Sequence, residues 1–143
     1  YGGGGMYNFY AMGTADNPRT PVVFVHEFGH SFAGLADEYF SSEVAYQDFY
    51  NLKYEPWEPN ITTLVNFDAK WKDLLPANTP VPTPLDDAHK DKAGVFEGGG
   101  YIAKGIYRPM DHCMMRDYAP FCPACSRAIL QMIDYFTDKP IKH

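Results

Sequence analysis

The stretch that most constrains this chain runs from Thr20 to Gly34. Thr20-Pro21 offers a hydroxyl N-cap followed by proline at the first helical position, and the spacing predicts a helix from Pro21 to about Ala33 or Gly34. Val22, Val23, Phe24, Val25, Phe28 and Phe32 make that helix apolar nearly all round, the pattern of a buried central helix. Into it are set three polar residues, His26, Glu27 and His30, which together read H-E-x-x-H. Four residues along a helix turn about 400°, so the two imidazoles stand about 40° and 6 Å apart on one face. At that spacing both can reach one ion at about 2.0–2.1 Å. Glu27, one residue after the first imidazole, is placed to hold a water on such an ion rather than the ion itself. Zinc brings a bound water's pKa towards neutrality, and the carboxylate can take its proton during attack on a carbonyl and return it to the leaving amine. Read instead as satisfied core residues, two histidines and a carboxylate inside an apolar helix would risk an unpaired buried charge costing several kcal/mol.

A catalytic zinc has three protein ligands and one open position. Asp37 leads for the third place, ahead of Glu38, which has the longer reach, and His112, which comes from a distant segment. Asp37 lies seven residues beyond His30, about 10.5 Å along a straight helix. An aspartate cannot bridge that distance, so the helix must stop at or just before Gly34 and turn back, as glycine permits. The plainer alternative for Asp37-Glu38 is a solvated acidic pair at the helix end.

The 143-residue chain reads as one domain without internal repeats, residues 1–143. A net charge of −6 argues against nucleic acid or an anionic membrane as partner, and no apolar run reaches the length of a membrane span. With 11 Tyr and 10 Phe, several rings must be partly exposed or line a cleft. Met6 to Thr14 reads as a strand, and the glycines before it let something approach closely. Ser41 to Asp91, broken by Pro56, Pro59, Pro76, Pro80, Pro82 and Pro84, reads as a long irregular segment held to the body by Trp57, Phe67, Trp71, Leu74 and Leu75. Only Thr62 to Leu75 could hold a short regular element. Val95 to Tyr107 reads as strand, glycine bend at 98–100, and strand. Pro123 opens a final helix carrying Ile129, Ile133 and Phe136 on one face, with Lys139-Pro140 ending it. The opening Tyr1-Gly2-Gly3-Gly4-Gly5 is neither a start methionine nor a signal peptide, which points to a piece of a longer protein. Cys113, Cys122 and Cys125 allow one disulfide plus a free thiol, which would fit export. A structural zinc site built on the single C-x-x-C is the other reading, weighed down by the lack of a second such pair and by His112 preceding it.

His26-Glu27-Phe28-Gly29-His30-Ser31-Phe32-Ala33-Gly34-Leu35-Ala36-Asp37-Glu38-Tyr39 resembles the active-site segment of the bacterial M64 metallopeptidases, the IgA-peptidase family. The likeness extends to Tyr1 through Tyr10, to Phe96 through Tyr101 and to Lys104 through Pro109. The wider metzincin pattern is H-E-x-x-H-x-x-G-x-x-H. Here Gly34 comes one residue later, and Asp37 stands where the third histidine would. The resemblance implies an α+β, zincin-like catalytic domain, incomplete at its N-terminus: a sheet with edge strand Met6 to Thr14, the active-site helix, a Met-turn at Met115 with Met114 as fallback, and the C-terminal helix. It implies Zn2+ held by His26, His30 and Asp37, with Glu27 as general base, and Tyr107, Tyr118 or Tyr101 as candidates to stabilise the oxyanion. The implied activity is endopeptidase hydrolysis of a protein or peptide, secreted, periplasmic or on the cell surface. A protease-derived zinc module that grips protein or glycan without cleaving it is the alternative, and a purely structural metal a third. Immunoglobulin A is one possible substrate, although family membership does not fix specificity.

Overall fold

The computed structural model describes residues 2–40 and 49–138. Strand β1 (Gly3–Met6) and strand β2 (Tyr10–Gly13) form an antiparallel hairpin in which Gly3 faces Gly13 and Met6 faces Tyr10. The expected single strand Met6 to Thr14 is therefore a turn at residues 7–9 followed by β2, and the glycine run is itself the first strand. The reason lies in helix α1 (Thr20–Ala33), against which β1 is pressed. A Cβ on Gly3 would stand 2.7 Å from Val23 Cγ1 and 2.8 Å from Glu27 Cγ, and one on Gly5 would collide with the Glu27 carbonyl. Glycines at alternate positions of the strand give it a bare face, and the helix fills that face.

Helix α1 begins where the sequence indicates, but not through the expected cap. Arg19 occupies the N-cap position without a side-chain bond, and the Thr20 hydroxyl donates instead to the Thr14 carbonyl, tying the helix start to the end of β2. Nor is the helix buried all round. Val23, His26, Glu27, Gly29 and Ala33 are covered, whereas Phe24 and Phe28 remain 46% and 47% exposed. Phe24, Phe28 and Phe32 follow one another at i, i+4, i+8, and their rings stack along the outer face with centroids 6.3 and 5.1 Å apart.

At its C-terminus α1 stops at Ala33. Gly34 adopts a left-handed backbone (φ 64, ψ 29), its N–H bonds the His30 carbonyl, and Leu35 N–H bonds that of Gly29. The last carbonyls are thus satisfied as the chain reverses. Glycine is required twice over there, because a Cβ would lie 2.7 Å from the Trp57 ring.

The proline-rich middle wraps the body as a long loop, with single 3-10 turns at Phe67–Ala69 and Lys72–Leu74. Thr62 makes one bridge to Tyr107, and Trp71, fully buried, donates its indole N–H to the Gly94 carbonyl at 2.8 Å. Strands β3 (Phe96–Gly99) and β4 (Ile102–Arg108) pair across a two-residue turn, Gly100-Tyr101, both at positive φ (56 and 67). The bend thus falls later than Gly98-Gly99-Gly100, with Gly98 marking an irregularity in the ladder. A one-turn helix α2 (Met114–Asp117) and helix α3 (Pro123–Phe136), capped by Cys122, complete the fold. The expected stop at Lys139-Pro140, like the first residues of the middle loop, falls outside the described residues. Ala33, Leu35, Trp71, Met115, Ala124, Ala128 and the three cysteines form the main core, with a smaller cluster of Ala36, Ile61 and Ile106.

Candidate metal centre

His26 and His30 project from one face of α1 into a cleft of about 510 Å³. Each ring is oriented by a backbone carbonyl: His26 Nδ1 meets Met114 O at 2.8 Å, and His30 Nδ1 meets Leu35 O at 2.6 Å. A carbonyl can only accept, so each Nδ1 carries a proton, and in the neutral form of each ring it is the Nε2 lone pair that faces the cleft. The two Nε2 atoms stand 3.2 Å apart.

The left-handed stop at Gly34 returns the chain beneath these rings. Asp37 Oδ1 lies 3.0 Å from His26 Nε2 and 3.3 Å from His30 Nε2. That oxygen is buried and takes no hydrogen bond. Three electron-pair donors therefore converge at 3.0–3.3 Å, close to the edge of about 3.3 Å expected for a tetrahedron with ligand bonds of about 2.0–2.1 Å. The donor set and its spacing fit a divalent cation.

The electrostatics carry the same demand. Burial alone would raise the Asp37 carboxyl, but the two facing imidazoles and the hydrogen bond from Tyr101 outweigh it and hold Asp37 well below the usual carboxylate range. Burial disfavours charge on His30, yet Asp37, the Leu35 carbonyl and Glu27 raise it above an ordinary histidine. Glu27 sits in the cleft wall beneath Gly3, and burial, reinforced by Asp37 and opposed by His26 and His30, raises its carboxyl. One ligand atom from each of His26, Glu27 and His30 lies within 4.8 Å of the others.

The other residues singled out in the sequence separate cleanly in space. Glu38 points away from the two histidines, into a buried pocket with the cysteines. His112 is 57% exposed and is bonded to Asp117. Met115 is fully buried under the helix, its sulfur 2.9 Å from where a Gly29 Cβ would stand, and it belongs to the one-turn helix α2. Tyr118 packs edge-on against His26 with ring centroids 5.4 Å apart. Tyr107 lies in β4, bridged to Thr62, and does not line the cleft. Tyr101 does, and its hydroxyl donates to Asp37 Oδ2 from the tip of the β3–β4 turn. A tyrosine at positive φ is uncommon, and a strained turn of this kind gathers at functional sites.

Two further residues support the site: Asn60, which had no sequence signal, and Trp57, which the sequence marked only as an anchor of the middle segment. Asn60 brackets Ala36 as a strand partner would, its Oδ1 accepting from Ala36 N at 2.7 Å and its Nδ2 donating to Ala36 O at 2.9 Å and to Glu38 Oε1 at 2.9 Å. Trp57 closes the cleft against Gly34 and Tyr7.

Comparison with known families gives the class first: the chain is a peptidase. More particularly, it belongs to the family described as IgA Peptidase M64, whose sequence model matches residues 1–93 and 85–133. No curated protein matches the chain.

Proposed function

We propose that the protein is a zinc-dependent endopeptidase in which His26, His30 and Asp37 would hold the ion and Glu27 is the general base. The observation that carries this reading is the convergence of His26 Nε2, His30 Nε2 and Asp37 Oδ1 at 3.0–3.3 Å with both Nδ1 protons already committed to carbonyls. When bound, zinc supplies Lewis-acid chemistry, polarising a carbonyl and making a water acidic enough to attack it.

Glu27, held beside the rings in the cleft wall, takes the proton of the attacking water and returns it to the leaving nitrogen. Tyr101 fixes Asp37 by its hydrogen bond on Oδ2, leaving Oδ1 directed at the histidines. Of the three candidate tyrosines, Tyr101 is engaged with Asp37 and Tyr107 lies off the cleft, which leaves Tyr118, edge-on to His26, to reach a developing oxyanion. The substrate lies extended along β1, because residues 3–7 line the cleft and β1 pairs on one side only among the described residues. Its backbone then adds to the strand in the manner of β-augmentation.

The test is Glu27→Gln. It keeps zinc and loses peptidase activity on an unfolded protein substrate by roughly 10²–10⁴-fold. Undiminished cleavage by that variant removes the general base. A wild-type chain that binds zinc and a protein but cleaves nothing is a binding module instead.

A further inference from the structure

We propose that Glu38, Cys113, Cys122 and Cys125 form a second zinc site, closed and structural, on the far side of the segment that carries Asp37. All four residues are buried, and one ligand atom from each lies within 4.8 Å of every other. Cys113 Sγ and Cys125 Sγ stand 3.7 Å apart. That is the edge of about 3.8 Å expected for a tetrahedron with Zn–S bonds of about 2.3 Å, and far from the roughly 2.05 Å of a disulfide. The three cysteines are free. Pairing any two would leave the third sulfur and a carboxylate facing a disulfide, whereas a metal uses all four.

Glu38 is the second, independent pointer. It is 0% exposed, its Oε1 lies 3.2 Å from Cys125 Sγ and 4.0 Å from Cys122 Sγ, and its Oε2 has no hydrogen-bond partner. Its Oε1 receives one amide N–H, from Asn60 Nδ2 at 2.9 Å, and the cation that acts on it electrostatically, Arg108, is hydrogen-bonded to Asp111 and not to Glu38. A carboxylate buried among sulfurs with so little compensation is costly, and a cation at the centre of the four removes that cost.

The surroundings are those of metal-bound thiolates. Cys122 N–H points to Cys113 Sγ at 3.4 Å, and Cys125 N–H to Cys122 Sγ at 3.4 Å. Such backbone donors orient ligand sulfurs and spread their charge. Cys122 and Cys125 also occupy the N-cap and first turn of α3, where the helix dipole favours negative charge. With four protein ligands the site has no open position, which is the mark of a structural rather than a catalytic zinc. What it would hold together is specific: α3, the Cys113–Met115 segment and the strand-like stretch after Gly34. Met114 O orients His26, and Met115 O accepts Glu38 N–H at 2.8 Å, so the second ion would brace the floor of the first site.

The proposal stands apart from the catalytic reading, and zinc counting on the purified chain distinguishes them. Wild-type protein is expected to carry two equivalents of zinc, and the double variant His26→Ala/His30→Ala one. After exchange into cobalt, that variant should show the near-ultraviolet thiolate-to-cobalt charge-transfer absorption. In wild-type protein, mercurial modification of the thiols should release one equivalent to a chromogenic chelator, which requires no variant to fold. One equivalent of metal in wild-type protein without charge transfer leaves the catalytic centre standing and overturns this site. One equivalent with charge transfer, insensitive to His26→Ala/His30→Ala, supports this site and removes the catalytic one. Three freely titrating thiols in untreated protein, or an intact mass two hydrogens short, would overturn it outright.

Discussion

Asp37 and Glu38 are neighbours in the chain, both buried and both acidic, yet they serve opposite sides of one segment. Asp37 faces two imidazoles at the wall of an aqueous cleft, while Glu38 faces three sulfurs inside the core. The first group has three donors and an open side, suited to chemistry on a substrate. The second has four and no opening, suited to holding elements together. On the two proposals, ligand number and access would separate a working site from a bracing one within two residues.

The comparison is broken most directly by exchanging failures. Asp37→Ala should lower peptidase activity by more than the roughly 10–100-fold typical of losing an outer-shell partner, while the thermal midpoint barely moves. Glu38→Ala should do the reverse, costing on the order of 3 kcal/mol of stability in denaturant titrations, with the zinc of the histidine site retained. Equal loss of activity and stability in both variants would mean the two sites are one unit.

Tyr101→Phe sharpens the open side. It removes the hydroxyl on Asp37 Oδ2 and should weaken zinc affinity or activity by about 10–100-fold, with zinc titration against a competing chelator as the readout. Gly34→Ala probes the turn that both sites share. At φ 64, with Trp57 in the way, it should destabilise by about 1–3 kcal/mol and also reduce activity, the one change here expected to damage both.

The smallest effect lies outside both sites. Arg127, in α3, grips Asp73 of the middle loop with two bonds of 2.7 Å, and the hydrogen bond from Arg127 holds the Asp73 carboxyl below its ordinary value. A depressed acid contributes stability above its unfolded pKa and loses it as pH falls through the folded one. Because Asp73 is largely exposed, the contribution is about 0.5 kcal/mol at most. Asp73→Asn should flatten the stability–pH curve below about pH 4 by that amount, measured by urea titration.

How much of this was written locally in the chain differs between the regions. Helix α1, its stop at Gly34, the β3–β4 hairpin and the start of α3 at Pro123 all rest on near-neighbour signals from proline, glycine and runs of apolar residues. The requirement that α1 end before Asp37 could be derived from helix rise alone, and the structure ends it at Ala33. What stayed hidden depends on distant partners. Asn60 acts on Ala36 across 24 residues, and Tyr101 on Asp37 across 64. Glu38 meets Cys122 and Cys125 across 84 and 87, so the cysteines read alone lacked their fourth companion. The glycine run was misjudged for a different reason. Residues 2–5 are glycine without a break, so no alternation is visible in the sequence, and the need for a bare face at Gly3 and Gly5 emerges only with the helix against them.

The backbone after Gly34 also sets a rule about length. Successive side chains on an extended segment point to opposite sides, and two residues, Leu35 and Ala36, separate the left-handed glycine from Asp37. Removing or adding one of them would not merely loosen the loop. It would turn the register by half a period, presenting the wrong carboxylate, or none, to each set of partners. Most surface loops tolerate insertion; this one behaves as a fixed-length spacer, and an engineered or natural variant should preserve its count of residues before it preserves their identity.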